Sequence, residues 1–172
     1  MPDGAETVAA ERGRRWVFDT SPLIALGRAG LLDLPDRLGV QAVVPEAVAA
    51  EVAAGDAGDP ARLWVEAARG SPFPAVTVAP VVAAWDLGPG ESAALSYALA
   101  RPGVAAVLDD RPARACARGL GVGVIGTLGV LALAKREGLV PVLRPVIERL
   151  IASGYHLGAG LVALVLEEAG EG

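Results

Sequence analysis

Trp16-Val17-Phe18-Asp19-Thr20-Ser21-Pro22-Leu23-Ile24 is an apolar run that stops on a carboxylate and turns at once into a helix start. It reads as a buried first strand, Trp16 to Asp19, delivering one acid to the edge of a sheet. Ser21 is the predicted N-cap and Pro22 the first helical residue: a serine oxygen satisfies an orphan backbone N–H, and proline lacks the donor that its position would leave unpaired. In an open α/β sheet the ligand crevice lies beyond the carboxyl ends of the strands, so an acid there is a candidate for metal or proton chemistry.

Outward from this stretch, short β-branched runs alternate with longer alanine-rich ones, the pattern of βαβ units and a parallel sheet. The expected order is a second helix over Gly30 to Leu38, a strand over Gln41 to Val44, a helix opened by Pro45 that carries Glu46 and Glu51, a loop over 55–60, and a helix over Ala61 to Arg69. A short edge strand at Val76 to Val78 and a helix over Pro89 to Ala100 come next, then a buried strand over Val104 to Leu108 that ends on Asp109-Asp110. A helix over Arg111 to Leu120, a strand over Val122 to Ile125, a helix over Thr127 to Glu137 and two closing helices, Pro141 to Ser153 and Leu157 to Ala169, complete the pattern. With 172 residues, 53% hydrophobic and 20% charged, the chain suits one buried core. The expected organisation is a loose amino-terminal arm over 1–15 and a single domain over 16–172.

Composition narrows the chemistry. One cysteine, Cys116, and one histidine, His156, leave no intramolecular disulfide framework and no zinc site built from several such ligands. Any metal would be held by oxygen, which favours Mg²⁺ or Mn²⁺. The apolar run Leu157 to Leu166 is broken by Gly158 and Gly160 and falls short of the roughly 20 residues a bilayer span needs. No membrane span and a cytoplasmic location are expected. The net charge of −5 offers no global attraction to a polyanion, so nucleic acid would have to be met by local arginines and a metal. Gly121 to Gly126 fits G-x-G-x-x-G, but a helix precedes it and a strand lies inside it, unlike a dinucleotide loop. His156 has no ordered serine and aspartate partners, and Cys116 in an alanine-rich helix reads as a packed small residue.

The acids separate by the face they occupy. In the helix after Pro45, Val48 and Val52 mark the buried stripe; Glu51 lies about 60° from Val48 and Glu46 about 160°, at 100° per residue. Glu51 therefore borders the core and Glu46 does not. Glu91 shares a face with Ala94, Leu95 and Ala98, although an acid in a first helical turn also complements the helix dipole with no chemistry required. Asp19 and Asp109-Asp110 can equally be helix caps. Their joint occurrence at strand ends and core borders is what favours a shared site.

Asp19-Thr20-Ser21-Pro22-Leu23-Ile24, Val44-Pro45 through Glu51-Val52, Gly90-Glu91-Ser92-Ala93-Ala94, Leu108-Asp109-Asp110-Arg111 and Gly126-Thr127-Leu128-Gly129, in this order and spacing, resemble the PIN-domain nucleases. More narrowly they resemble the prokaryotic branch related to VapC-type toxins of toxin–antitoxin pairs. The resemblance implies a three-layer α/β/α sandwich with a central, mainly parallel sheet and an acidic pocket that holds Mg²⁺ or Mn²⁺ for hydrolysis of RNA phosphodiesters. It implies Asp19, Glu51, Glu91 and the pair Asp109-Asp110 as catalytic acids, with Asp19, Glu91, Asp109 and Asp110 as metal ligands. Asp110 aligns with the family's last acid and Leu108 replaces its threonine, leaving Asp109 as neighbour or substitute and Ser21 or Thr127 as the source of a hydroxyl; both are also expected to bind substrate. Arg111, Arg114 and Arg118, at i, i+3 and i+7 on one helix face, are candidates for contacts to phosphates flanking the cut.

The closing helices carry apolar residues on more than one side: Val142-Leu143, Val146-Ile147, Leu150-Ile151, Leu161-Val162 and Leu164-Val165-Leu166. Such helices are buried in a core or covered by a partner, so a homodimer and an antitoxin docked in a separate apolar groove are expected. The alternative is a PIN-like binding or regulatory module without nuclease activity, its acids serving as caps.

Overall fold

The computed structural model describes residues 14–68 and 73–172. Residues 1–13 of the expected arm, and Arg69 at the end of an expected helix, lie outside the described residues. Strands β1 (Arg15–Phe18), β2 (Gln41–Val43), β3 (Val104–Val107) and β4 (Gly123–Ile125) form one sheet in the order β2-β1-β3-β4, every pair parallel. Parallel neighbours cannot be joined by tight turns, so helices fill each connection. Helices α1 (Thr20–Arg28) and α2 (Leu34–Arg37) link β1 to β2. Helices α3 (Glu46–Ala54), α4 (Pro60–Ala67), α5 (Pro80–Ala83) and α6 (Pro89–Leu99) lie between β2 and β3, and α7 (Arg111–Gly119) links β3 to β4. Helices α8 (Thr127–Arg136), α9 (Arg144–Ala152) and α10 (Ala159–Glu168) close the chain.

The alternation of side chains along a strand divides the core in two. Trp16 and Phe18 face one layer, with Leu23 and Leu26 of α1, Val48 and Val52 of α3, Leu131 of α8 and Ile147 of α9. Val17 faces the other, with Ala94 and Leu95 of α6 and Ala113, Cys116 and Ala117 of α7. Trp16, Val17 and Phe18 are each 3% exposed or less, so both faces of the central strand are covered and the expected α/β/α sandwich results. Cys116 is fully buried in the second layer. Helix α1 lies close against α4 because Gly27 has no side chain: a Cβ there would stand 2.9 Å from the backbone nitrogen of Ala61. Asp59 caps α4 through Ala61 N–H at 2.9 Å and pairs with Arg28 of α1 at 3.1 Å.

Several expectations are corrected. Val76 to Val78 is not a strand: Pro74 O accepts from Glu46 N–H at 3.0 Å and Ala79 N–H donates to Ser96 Oγ at 3.0 Å, so the segment's ends are tied to α3 and α6 rather than to a ladder. Pro74 and Pro80 bracket it and bring no N–H of their own. The helix expected over Gly30 to Leu38 shrinks to α2, since Gly30 at φ +71° turns the chain out of α1. Helix α1 begins at Thr20, so Asp19, not Ser21, holds the N-cap position. The first strand takes in Arg15, and Gln41 N–H reaches back to Arg14 O at 2.9 Å.

The carboxyl-terminal turn is fastened by Glu171, whose carboxylate accepts backbone N–H bonds from Leu143 and Arg144 at 2.8 Å each and pairs with Lys135 Nζ at 2.9 Å. The helix expected from Pro141 starts only at Arg144, leaving Val142 half exposed before it; the closing helices bury Val146, Ile147, Leu150, Val165 and Leu166 but expose Ile151, Leu161 and Leu164 by half or more. A groove of about 920 Å³ beside them is lined by Ile151, Tyr155, Leu157, Val162 and Leu166.

Candidate active site

The strand order places the site. β2 lies on one side of β1 and β3 on the other, so the chain reverses its direction of travel between β1 and β3, and a crevice opens beyond their carboxyl ends. Asp19 follows β1 and Asp109 follows β3 into that crevice. Asp19 N–H donates to Val107 O at 3.2 Å, one rung past the end of β1, which fixes the backbone from which its carboxylate leaves.

Asp19 is 2% exposed and, although it stands at the N-cap position, its side chain makes no cap bond. Its Oδ1 is buried with no hydrogen-bond partner. Burial pushes its carboxyl from 3.8 up to about 7; the charges of Glu91, Glu51 and Asp109 push the same way, and the backbone bond from Thr20 opposes them. A buried acid that caps nothing and faces like charges is an arrangement without a structural purpose of its own.

Glu51 sits on the core border of α3 and is half-buried, whereas Glu46 is exposed, as the helical angles require. Its Oε2 accepts from Thr20 Oγ1 at 2.5 Å and its Oε1 from Gly90 N–H at 2.8 Å. Glu51 thereby ties α3 to the first residue of α1 and the first turn of α6. Gly90 is the floor beneath the acids. A Cβ there would stand 2.6 Å from Glu51 Oε2, closer than real Cβ contacts allow, and 3.0 Å from Asp19 Oδ1, tighter than most. Glu91, half-buried in the first turn of α6, has its carboxyl pushed up by burial, with the charges of Glu51 and Asp110 adding to the effect. Its side chain folds back over Gly88.

Asp109 and Asp110 take different places. Asp110 is exposed and caps α7, accepting from Ala113 N–H at 3.0 Å. Asp109 is half-buried and joins β3 to α8: Oδ1 accepts from Thr127 N–H at 2.8 Å, and Oδ2 from Thr127 Oγ1 at 2.5 Å and from the Tyr155 hydroxyl. Thr127 is 1% exposed, its hydroxyl turned onto Asp109. Ser21 is exposed on the first turn of α1. Arg111 is exposed at the start of α7, beside the acids, and Arg118 is exposed about 10 Å further along the same helix. Arg114, between them, donates to Leu108 O at 2.9 Å, which engages its guanidinium with the backbone.

The charges of Glu91, Glu51 and Asp109 thus bear on Asp19, and those of Glu51 and Asp110 on Glu91. Among the described residues no three of them are already gathered at metal-ligating distance. The donor set is nevertheless of the kind that suits a hard divalent cation: carboxylate oxygens, one of them buried and unpartnered, around a glycine whose hydrogen leaves the space clear. Sequence reading passed over three contributors: Thr20, Gly90 as a floor, and Tyr155. Thr20 and Gly90 adjoin acids in the sequence, so adjacency was the signal available; Tyr155 lies 46 positions from Asp109 and carries no local signal.

Among the described residues no helix is long and apolar enough to cross a membrane. Neither a curated protein nor a solved structure matches the chain. The sequence model of the PIN domain matches residues 15–171, which spans every element of the sheet and every acid of the site. With its all-parallel sheet and its acids at the switch point, the chain belongs to the PIN-domain family, whose fold is that of nucleases.

Proposed function

We propose that the chain is an endoribonuclease that hydrolyses RNA phosphodiesters with Mg²⁺ or Mn²⁺, and that it is the toxin of a toxin–antitoxin pair of the VapC-related branch. The observation that carries this reading is Asp19, a buried carboxylate with an unpartnered oxygen, held among Glu51, Glu91 and Asp109. When bound, a divalent cation supplies positive charge to the scissile phosphate and acidity to the attacking water. Asp19, Glu91 and Asp109 are the residues that would hold it, with Asp110 at the rim. Glu51 acts at the same site by fixing Thr20 and Gly90, and so the start of both helices that frame Asp19. Thr127 holds Asp109 through its N–H and its hydroxyl. Arg111 and Ser21, exposed beside the acids, would meet phosphate oxygens, and Arg118 a phosphate further along the RNA; their exposure supports this.

A specific observation favours the rival reading, a binding or regulatory module: Asp109 and Asp110 both serve helix N-termini. Asp19 makes no cap bond, which supports the nuclease reading. The exposed apolar residues of α9 and α10 and the groove beside them support a homodimer and an antitoxin partner, and the lone buried cysteine suits a cytoplasmic protein. The test is cleavage of a mixed RNA pool. Wild type with Mn²⁺ is expected to cut, and Asp19→Asn to lose at least about 100-fold of that rate; equal cleavage by both would remove the proposal.

A further inference from the structure

Tyr155 lies in the connection between α9 and α10, far in sequence from every acid, yet its hydroxyl donates to Asp109 Oδ2. Its ring packs against the main core while its oxygen reaches the strand edge. A carboxylate offers about four lone-pair sites, two on each oxygen. On Asp109, Thr127 Oγ1 and the Tyr155 hydroxyl fill both sites of Oδ2, and Thr127 N–H takes one of Oδ1. One acceptor site remains, on Oδ1. Without the phenol, Oδ2 regains an open site, and the carboxylate can turn about its remaining partner to bind water or to face the crevice with both oxygens.

We propose that Tyr155 is a positioning residue of the acidic site: with Thr127 it locks Asp109 so that a single oxygen, Oδ1, faces the crevice as a ligand for a divalent cation. The inference rests on the metal-dependent nuclease reading and adds to it a residue from the closing helices, which the acids alone do not require. An outer hydrogen bond of this kind orients a metal-binding carboxylate and typically changes metal affinity or activity by about 10–100-fold when removed.

The variant is Tyr155→Phe, which deletes the oxygen and keeps the packed ring. The probe is Mn²⁺ alone, titrated calorimetrically into the intact chain, alongside the Mn²⁺ concentration that gives half-maximal cleavage of the RNA pool. Leu166→Ala, which removes a buried side chain from α10 without touching Asp109, controls for mere loosening of the closing helices. Tyr155→Phe is expected to bind Mn²⁺ about 10–100-fold more weakly, to need correspondingly more Mn²⁺ for cleavage, and to recover when Mn²⁺ is raised. Leu166→Ala is expected to melt earlier and bind Mn²⁺ as wild type does. Wild-type affinity in Tyr155→Phe, or an equal loss in Leu166→Ala, overturns the role of Tyr155 while leaving the nuclease intact. A wild type that neither binds Mn²⁺ nor cleaves RNA overturns the nuclease reading itself, and this inference with it.

Discussion

Replacing Asp19 by asparagine should make the metal-free protein more stable at neutral and alkaline pH. The carboxyl titrates at about 7 in the folded chain against 3.8 for the ordinary group, so the folded state holds the proton more tightly than the unfolded one. Stability from this group is complete below pH 3.8 and is lost as pH rises through about 7. The interval corresponds to about 4 kcal/mol at pH 8, a ceiling reached only if Asp19 is fully charged there. Asparagine has the same shape and no charge, and its amide can donate to the neighbouring carboxylates. Asp19→Asn is therefore expected to gain about 1–4 kcal/mol at pH 8 in chelator, each kcal/mol raising Tm by about 2–4 °C in a chain of this size. The gap should nearly close as pH is lowered toward 4, where the folded carboxyl carries the proton and the unfolded one, at 3.8, is close to half protonated. Excess Mn²⁺ should shift the comparison toward wild type by about 2.7 kcal/mol at about 100 times its Kd, because the variant loses that gain. Thermal melts at pH 8 and pH 4, with chelator and with Mn²⁺, measure all of this. A variant less stable than wild type at pH 8, or a gap indifferent to pH, would refute the reasoning and make Asp19 a structural cap.

Gly90→Ala places a methyl 2.6 Å from Glu51 Oε2 and 3.0 Å from Asp19 Oδ1; it should cost about 1–3 kcal/mol in denaturant unfolding and lower RNA cleavage by up to about 100-fold. Asp110→Ala removes the cap on Ala113 N–H and should cost about 1 kcal/mol, the opposite sign from Asp19→Asn, in the same melts. Glu171 is held down to about 2 chiefly by the N–H groups of Leu143 and Arg144. Its folded value is depressed, so its stabilisation is present above the ordinary 4.5 and lost as pH falls through about 2. Glu171→Ala should lower Tm at pH 7, by an amount that narrows as pH drops below 4.5, with Mn²⁺ affinity unchanged in calorimetry.

Much of the fold was legible because burial writes a short period into the sequence. Trp16, Val17 and Phe18 are covered on both faces, so the strand appears as an unbroken apolar run ending where the crevice begins. Glu51 and Glu46 were separable by angle alone, since a helix of known pitch fixes which of them meets the core. Val76 to Val78 misled because β-branched residues carry strand propensity wherever they stand, while pairing depends on a free ladder; the neighbouring backbone groups were claimed by α3 and α6. The division between Asp109 and Asp110 could not be read either. Both suit an N-cap, and only the packed positions of Thr127, Ala113 and Tyr155 decide which oxygen each acid spends. Tyr155 shows the limit most plainly: a contact across 46 residues depends on how the closing helices fold back, and no local pattern encodes it.

We propose that the acids at the carboxyl ends of β1 and β3 hold a divalent cation. Anomalous diffraction at the manganese edge, from crystals soaked in Mn²⁺, tests it directly. A peak bounded by Asp19, Glu91 and Asp109 is expected in wild type and its loss in Asp19→Asn; a site without manganese, or a peak that survives the substitution unchanged, would contradict metal binding there.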